Sequence, residues 1–591
     1  MKLISLAHAI TCVFFLNQSI YSMKQENWEI PTFTNFKERY LNVVKTYPEL
    51  FDATCLDGKE NADKIYSENI KETYALAQPV VSQNELLRSI KYAADMIGES
   101  ISTAPWVDGD PLPKSFFTQD SPTEKFDLSN PEHTQLFAAY EKKILLDDTK
   151  GEEIVFFGDL HGGCASLIKA LNTYIEPDSF KIKKAKGHTH LAFLGDFVDS
   201  GKDGVEVIYL LARIAAANPS HVHLVRGNHE DLKFNIQQLF YQELVYKYGT
   251  INPNETFFYN KYQLPHSLYN AITRFYDFMP VALFVGNRRY RLGCFDWRIG
   301  CHGGFEVGDI NIPELLSHPA KVAYKLVGER PDKKGFQSII RRETVWNDIK
   351  DKFMIDPLIA EEPRGKYYQN FIATCIDFIP LSPGAGVASG SKKCSDNLSI
   401  GYCWSLFMEH DNTMDISYSL NLNAWTFGKK ATEVLLNRSS TWKNKLVGMI
   451  RAHQHTSNPL DYTKYPLMEK ILKNQGMWTM WQNLKKQNPA SFAAITTLVV
   501  APDTVYGVAK ATNNSHEKHY PGVVNYASLT LKPRASIFKI NAEIKKEEFT
   551  HILPKIYQDK HAQYMKENQK LTPSFEDDIL PSKKSGWCSI I

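Results

Sequence analysis

The sequence contains little cysteine, little net charge and no internal repeat. Nine cysteines in 591 residues are irregularly spaced without a CxxC pair, which argues against a disulfide-rich module and favours reduced thiols. The 68 Lys and Arg residues nearly balance the 66 Asp and Glu residues, so the charge gives no argument for a nucleic-acid partner. The apolar run near the N-terminus is too short to span a bilayer.

The length and the apolar content allow a large folded protein. A chain of 591 residues exceeds one compact core and predicts two to four domains, or one domain with large additions. Hydrophobic residues make up 43% and aromatic residues 12%, which suffices for a sizeable core.

The two ends of the chain suggest two conflicting cellular locations, or addresses. Residues 1–22 are mostly apolar after Lys2, a pattern typical either of a signal peptide for export or of an amphipathic, poorly ordered start. The last four residues begin with Cys588 and fit the C-a-a-X prenylation pattern, with Lys583 and Lys584 upstream. The first address predicts an exported protein and the second a cytoplasmic protein with a lipid tether to a membrane. We expect at most one of them to be used.

The pattern along the chain predicts an α/β protein with two β-sheets flanked by helices. Residues 23–150 indicate a helical accessory region, in which Ser82 caps a helix. From Glu153, strands and helices alternate, which is typical of a largely parallel sheet. The segments ITTLVVAP and NYASLTLKP then predict a second sheet. The predicted domains are a catalytic domain over 151–541, with an insertion at about 349–425, and a charged helical tail over 542–591.

Metal-ligand residues follow five apolar strands. The segments GDLHGG, GDFVDSG, RGNHED, CHGG and RAHQHT contain Asp159, His161, Asp196, Asp199, Asn228, His229, His302 and His453. Because ligands of such sheets bind beyond the carboxyl ends of the strands, these side chains are expected to converge on one edge. Carboxylate, imidazole and amide groups suit a pair of divalent cations. A single histidine at a strand end is usually structural, but five such motifs in series are hard to explain by packing.

The order of these motifs resembles the PPP-type protein phosphatases, within the calcineurin-like phosphoesterase fold. The resemblance covers about 153–540 and includes ITRFYDFMPVALFV, VWND at 345–348, AWTFG and TLVVAP. It implies a two-sheet metallophosphoesterase architecture and hydrolysis of phosphate monoesters on phosphoserine, phosphothreonine or phosphotyrosine proteins. It also implies two divalent ions, for which Mn, Fe and Zn remain alternatives. The added regions and the C-a-a-X ending resemble phosphatases that intracellular bacteria deliver into host cells.

The resemblance also assigns roles to single residues. Asp159 and His161 would hold the first metal, Asp196 would bridge both, and the second metal would be held by Asn228, His302 and His453. His229 would be the general acid, oriented by Asp199. A hydroxide shared by the metals would attack phosphorus.

Two positions depart from the family. Where the family has phosphate-binding arginines, this chain has Ser200 and Asn421. Arg226, which is retained, is therefore a predicted substrate-binding residue, and the resemblance implies the same role for Tyr506, near the position of the family's late active-site tyrosine. Lys202, Arg298 and Arg451 are further candidates, with a structural role as the alternative for each.

Two other functions stay open on the sequence. A phosphodiesterase or nucleotide hydrolase on the same fold would explain the missing arginines. A catalytically inactive scaffold, tethered by the lipid at Cys588, would explain the additions, although every metal ligand is retained.

Overall fold

The structure, a computed structural model, describes eighteen parts of the chain. They are residues 31–46, 79–107, 138–186, 188–199, 201, 203–237, 239–248, 266–288, 293–306, 312–329, 337–338, 401–407, 416–419, 424–453, 477–480, 495–498, 523–534 and 537–548. Several predictions lie outside them: segment 1–22, most of the insertion, the VWND element, and Ser200, Lys202, Asn421, Tyr506 and Cys588.

The larger sheet has eight strands. They are β1 Ala138–Leu145, β5 Ala282–Arg288, β6 Phe295–Cys301, β7 Val322–Glu329, β8 Gln337–Ser338, β12 Asn444–Arg451, β13 Met477–Met480 and β14 Ile495–Leu498. Their order across the sheet is β13-β14-β12-β6-β5-β1-β7-β8. The central strands β5 and β6 form an antiparallel pair, and β12 lies parallel to β6.

The second sheet has five strands. They are β2 Glu153–Phe157, β3 Thr189–Phe193, β4 Val222–Leu224, β15 Val523–Arg534 and β16 Ile537–Glu548, in the order β16-β15-β2-β3-β4. Strands β2, β3 and β4 are parallel, which confirms the prediction from the alternation of strands and helices. A small third sheet contains β9 Leu406–Phe407, β10 Ile416–Ser419 and β11 Ala424–Phe427.

Strand β2 shows why the two larger sheets pack as layers. Ile154 and Phe156 join an apolar cluster with residues of β5 and β12, whereas Val155 and Phe157 pack in the cluster on the helical side. Both faces of the strand are therefore buried, which explains its continuous apolar run. Burial of each such side chain contributes about 1.5–3 kcal/mol.

Ten helices surround the sheets in the described parts of the chain. The predicted capping serine is confirmed, because Ser82 accepts a hydrogen bond from Glu85 N while Glu85 accepts one from Ser82 N. None of the described helices is long and apolar enough to cross a membrane. The bounds are α1 Phe33–Thr46, α2 Gln83–Thr103, α3 Cys164–Tyr174, α4 Gly204–Ala217, α5 Leu232–Gln237, α6 Leu239–Tyr248, α7 His266–Asp277, α8 Ile312–Ser317, α9 Gly401–Trp404 and α10 Lys429–Arg438.

Three details of the predicted organisation differ from the structure. Strand β1 lies between β5 and β7, so the larger sheet begins before residue 151. Strands β14 and β15 belong to different sheets rather than to one second sheet, because β15 pairs with β2. Strand β16 pairs with β15 as far as Glu548, so the start of the predicted helical tail is a strand.

Candidate active site

The predicted ligands meet where strands of both large sheets end. Asp159 follows β2, Asp196 follows β3 and Asn228 follows β4, while His302 follows β6 and His453 follows β12. Two groups of candidate ligand atoms lie within 4.8 Å of one another: His161, Asp196 and His229, and Asp196, His302 and His453. The two sheets therefore build one site, with Asp196 common to both groups.

The backbone at this site adopts conformations that side chains disfavour. Among the described residues, the non-glycine residues with positive φ are His161 at 43°, Asp196 at 52°, Asp199 at 65° and His453 at 66°. All four were predicted from the sequence as site residues or, for Asp199, as a residue that orients one. Left-handed backbone in such residues costs of order 1–3 kcal/mol and is concentrated at functional sites. The folded state is therefore destabilised at these four residues, and the strained backbone directs their side chains toward the site.

The His302 imidazole directs its Nε2 atom toward the other candidate ligands. Its Nδ1–H donates to Leu194 O at 2.8 Å, which leaves a lone pair on Nε2. That nitrogen lies 2.8 Å from Asn228 Oδ1, 3.0 Å from Asp196 Oδ2 and 3.1 Å from His453 Nδ1. A lone pair facing an amide oxygen and a carboxylate is repulsive, and either a metal ion between them or a proton on Nε2 removes the repulsion. Burial lowers the pKa of His302, but the carboxylates of Asp196 and Asp159 raise it above its ordinary value. With its oxygen directed inward, Asn228 can bind a metal; with the amide rotated, its NH2 group would instead donate to His302 Nε2, His453 Nδ1 and Asp196.

The His161 imidazole repeats this arrangement at the other group. Its Nδ1–H donates to Val198 O at 3.0 Å, and its Nε2 lies 3.5 Å from Asp196 Oδ2. On the neighbouring strand end, Asp159 Oδ1 accepts a hydrogen bond from His453 N at 3.0 Å. The donor set of buried carboxylate, imidazole and amide groups fits two borderline divalent cations.

The Asp196 carboxyl group is held in its ionised form. Burial raises the pKa of its carboxyl group, but the imidazoles of His302 and His229 bring that pKa well below its ordinary value. Its Oδ1 also accepts a hydrogen bond from His229 N at 3.0 Å. Because Oδ2 lies near nitrogen atoms of both groups, Asp196 is the residue that can bridge two ions.

His229 and Asp199 form a buried pair. His229 Nδ1–H donates to Asp199 Oδ2 at 2.8 Å, and Asn235 Nδ2 donates to the same oxygen at 2.7 Å. The backbone N–H of Phe240 donates to Asp199 Oδ1 at 2.8 Å, so the carboxylate is fully oriented. Burial lowers the pKa of His229, but the carboxylates of Asp196 and Asp199 raise it to about 9. The ring is therefore suited to carry a proton at Nε2, which lies 3.8 Å from Asp196 Oδ2.

Glu230 supports the loops that carry these ligands, a role not predicted from the sequence. Its carboxylate accepts hydrogen bonds from Asp196 N at 2.7 Å, Phe197 N at 2.8 Å and Gly227 N at 2.8 Å. Burial and then the charge of Asp196 raise its pKa to about 7. A Cβ on Gly227 would lie 2.3 Å from Asp196 Oδ1, so the two loops touch too closely for any side chain there.

Two half-buried aromatic residues border the site, and sequence reasoning missed both. The Phe234 ring lies 4.6 Å from the His229 ring, and Trp404 lies 5.6 Å from Phe234 and 6.1 Å from His453, all edge to face. The helical position of Phe234 beside the RGNHED motif could have indicated it. Trp404 lies far along the chain, and nothing in its sequence neighbourhood pointed to the site.

Arg226, a predicted substrate-binding residue, donates from its buried guanidinium group to the backbone. Its Nε and Nη2 donate to Tyr276 O at 3.1 and 2.7 Å, and its Nη2 lies 4.0 Å from Asp277. Arg451 likewise donates to the backbone carbonyls of Gly303 and Ser405. Both guanidinium groups are buried and bonded to backbone carbonyls around the site, and their substrate-binding role stays a prediction.

Comparisons with known proteins agree with this geometry. Residues 153–353 match the family described as calcineurin-like phosphoesterase. A catalytic subunit of protein phosphatase 2A from Dictyostelium discoideum is 28% identical over 178 residues, which is 29% of this chain and 46% of that protein. Serine/threonine-protein phosphatase PP2A-like PPG1 of Candida albicans is 29% identical over 147 residues, 25% of this chain and 28% of that protein. The chain thus matches less than half the length of these relatives.

Two solved phosphatase structures align with much of the chain. A protein serine/threonine phosphatase from Saccharomyces cerevisiae, with similarity to human phosphatase PP5, aligns over 83% of this chain and 96% of its own, with 13% identity and a TM-score of 0.38. The cold-active protein-tyrosine phosphatase of a psychrophilic Shewanella aligns over 71% of this chain and 86% of its own, with 13% identity and a TM-score of 0.29.

Proposed function

We propose that this chain, which carries a calcineurin-like metallophosphoesterase domain, is a metal-dependent phosphatase that hydrolyses phosphate monoesters of phosphoproteins. The observation that carries the proposal is the convergence of the ligand groups around Asp196, beside the buried pair of His229 and Asp199. The similarity to serine/threonine phosphatases supports a phosphoprotein as the substrate.

The site divides the reaction between a metal centre and an acid. We assign the first ion to Asp159 and His161, the bridge to Asp196, and the second ion to Asn228, His302 and His453. When bound, two divalent cations activate water and neutralise charge on the phosphoryl oxygens. Mn, Fe and Zn all suit this donor set.

His229 supplies the proton for the leaving group. The proton at Nε2 passes to the oxygen of the departing serine, threonine or tyrosine side chain as the P–O bond breaks. Asp199 accepts the Nδ1–H and so keeps the ring in the orientation that presents Nε2. Asn235 prevents Asp199 from turning away, because it donates to both Asp199 Oδ2 and His229 O at 2.7 Å.

We propose that phosphate binding relies little on the arginines in the described part of the chain. Ser200 and Asn421 replace the arginines expected from the resemblance, and Arg226 is committed to Tyr276 O. We propose that the charge of the phosphate is met mainly by the metal centre and that Phe234 and Trp404 contact the leaving group. Phe234 touches the ring of the acid, which places it beside the departing side chain.

The complete set of site residues also favours a phosphatase over the alternatives of a scaffold and a phosphodiesterase or nucleotide hydrolase. A scaffold would need neither ionised Asp196 nor the oriented pair of His229 and Asp199, and both are buried and hydrogen-bonded here. The relatives are protein phosphatases, which supports a monoester over a diester or nucleotide.

The experiment compares phosphoserine, phosphothreonine and phosphotyrosine peptides with a bis-aryl phosphodiester, each with added Mn²⁺. We expect monoester turnover that is lost with EDTA and in His229→Ala. His221→Ala is the matched control, because His221 lies at the opposite end of the strands and should retain full activity. Turnover of the diester alone would reassign the enzyme, and a folded protein that neither turns over substrate nor binds Mn²⁺ would make it a scaffold.

We further propose that a lipid on Cys588 tethers the enzyme to a membrane in the cytoplasm of a host cell. The C-a-a-X ending with Lys583 and Lys584 upstream supports this. Cys588→Ser should move the protein from the membrane fraction to the supernatant. Unchanged partitioning would contradict the tether and leave export through segment 1–22 as the alternative.

A further inference from the structure

A residue of the N-terminal helix α1 reaches the loop that follows Asp199. The Tyr40 hydroxyl donates to Asp203 Oδ2 at 2.9 Å, across a sequence separation of 163 residues, and the bond is buried. Asp203 ends the stretch GDFVDSGKD, which also contains Asp196 and Asp199. The accessory region thus contacts the same loop that supplies two residues of the site.

The carboxylate of Asp203 is directed to Tyr40 rather than to its own helix. Asp203 is the residue before α4, where an aspartate usually caps the first backbone N–H groups, yet its side chain makes no such bond. Glu243 of α6 accepts those hydrogen bonds instead, from Gly204 N at 3.0 Å and Val205 N at 2.9 Å. Because Glu243 satisfies the helix end, the Asp203 carboxylate can accept the hydrogen bond from Tyr40 without leaving the first N–H groups of α4 unpaired.

The backbone around Asp203 rests on the turn that carries His161. A Cβ on Gly162, which has a φ of +70°, would lie 3.0 Å from Gly201 C and 3.2 Å from Asp203 N. Within the loop, Gly201 N donates to Asp199 O at 2.7 Å. A shift of Asp203 would therefore act directly on the turn of His161 and on Asp199.

Helix α1 is itself firmly attached. Tyr40 is buried, and on the same helix the Phe36 ring stacks on Tyr209 of α4 at 5.4 Å. Arg39 pairs with Glu85 of α2 at 3.1 Å. Because α1 is fixed by these contacts, it can restrain the loop that ends at Asp203.

We propose that Tyr40 is a positioning residue of the active site, and that α1 holds the Asp203 loop against the His161 turn. The accessory region is then a working part of the enzyme and not a separate appendage. This inference rests on the proposed phosphatase function for its effect on turnover, but its effect on metal binding is independent of the substrate.

The test compares Tyr40→Phe with Tyr248→Phe. Both remove one hydroxyl from a tyrosine that joins the core to the N-terminal region, because the Tyr248 hydroxyl donates to Val81 O at 2.8 Å. The Tyr40 hydroxyl bonds to the loop, whereas the Tyr248 hydroxyl bonds to Val81 O. In Tyr40→Phe we expect about tenfold faster amide exchange over residues 201–205, about tenfold weaker Mn²⁺ binding and a raised KM for a phosphopeptide, since each tenfold change corresponds to about 1.4 kcal/mol. Tyr248→Phe should change none of these.

Each result decides between the two proposals. Equal exchange, Mn²⁺ affinity and KM in the two variants would overturn the positioning role, as would a loss of stability in Tyr40→Phe without these three changes. A wild-type protein that binds Mn²⁺ but hydrolyses no monoester would contradict the phosphatase function. The Mn²⁺ titration of Tyr40→Phe would still show whether the helix positions the ligand turn.

Discussion

Replacing Asp199 by asparagine tests the role of the buried pair. The carboxylate accepts three hydrogen bonds: from His229 Nδ1 and Asn235 Nδ2 on Oδ2, and from Phe240 N on Oδ1. An amide has one acceptor oxygen, so at least one of these donors must face an NH2 group. The amide also carries no charge to stabilise the imidazolium of His229.

The magnitude follows from the bond that is lost. A buried hydrogen bond to a charged group contributes about 1.5–3 kcal/mol. Since about 1.4 kcal/mol corresponds to tenfold in rate, kcat for a phosphoserine peptide should fall about 10–100-fold. The pKa of His229 should also fall, because Asp199 is one of the groups that raise it, so the alkaline limb of the kcat profile moves to lower pH.

The assay compares leaving groups. An alkoxide needs the proton of His229, whereas p-nitrophenolate leaves without one, so Asp199→Asn should impair the serine ester far more than p-nitrophenyl phosphate. Glu152→Gln is the matched control, because it changes a buried carboxylate at the opposite end of β2, where Glu152 pairs with Lys321 at 2.8 Å. An equal loss for both esters would refute the assignment of His229 as the acid.

Three further predictions concern the aromatic residues that border the site, the buried Arg226 and the stability of the fold in acid. Trp404→Ala and Phe234→Leu should raise KM for a phosphotyrosine peptide more than for a phosphoserine peptide, because the aryl group of phosphotyrosine contacts the Trp404 and Phe234 rings. Equal changes in KM for the two peptides would contradict the proposed leaving-group contact. Arg226→Leu should lower the midpoint of thermal unfolding, because Asp277 and Tyr276 O lose a buried partner. Arg226→Lys should not restore the midpoint, since an ammonium group cannot make the same two bonds to Tyr276 O. Burial, followed by the charge of His221, lowers the pKa of His190 to about 4 from 6.5. Between pH 6.5 and 4 the unfolded chain therefore binds a proton that the native state does not, and stability falls by about 3 kcal/mol as the pH decreases. Measured by urea unfolding, the free energy of unfolding of His190→Asn should fall less between pH 6.5 and 4 than that of the wild-type protein. The same pH dependence in both proteins would contradict this prediction.

The site was largely predictable because its residues lie at strand ends. An apolar strand buried on both faces has a recognisable sequence, and the polar residues after parallel strands must share one edge. Asp159, Asp196 and Asn228 follow β2, β3 and β4 in this way, and the structure brings them together with His302 and His453.

Strand partners were harder to predict because pairing is a non-local choice. The sequence of β1 is compatible with an accessory segment, and only its pairing with both β5 and β7 makes it part of the large sheet. Similarly, β14 and β15 follow one another in the chain but join different sheets. No local pattern distinguishes these outcomes.

The sequence by itself determined the residue types of the five motifs and their order, and the resemblance that these motifs carry predicted an acid beside a metal site. The tertiary structure decided the direction of each side chain. Arg226 precedes the predicted ligand Asn228 by two residues yet donates to Tyr276 O, while Trp404, distant along the chain, lies beside His453. The tie between Tyr40 and Asp203 also exists only in three dimensions. The physical reason is that a side chain's direction depends on burial and on the hydrogen-bond partners that the folded chain places around it, and these partners come from remote segments.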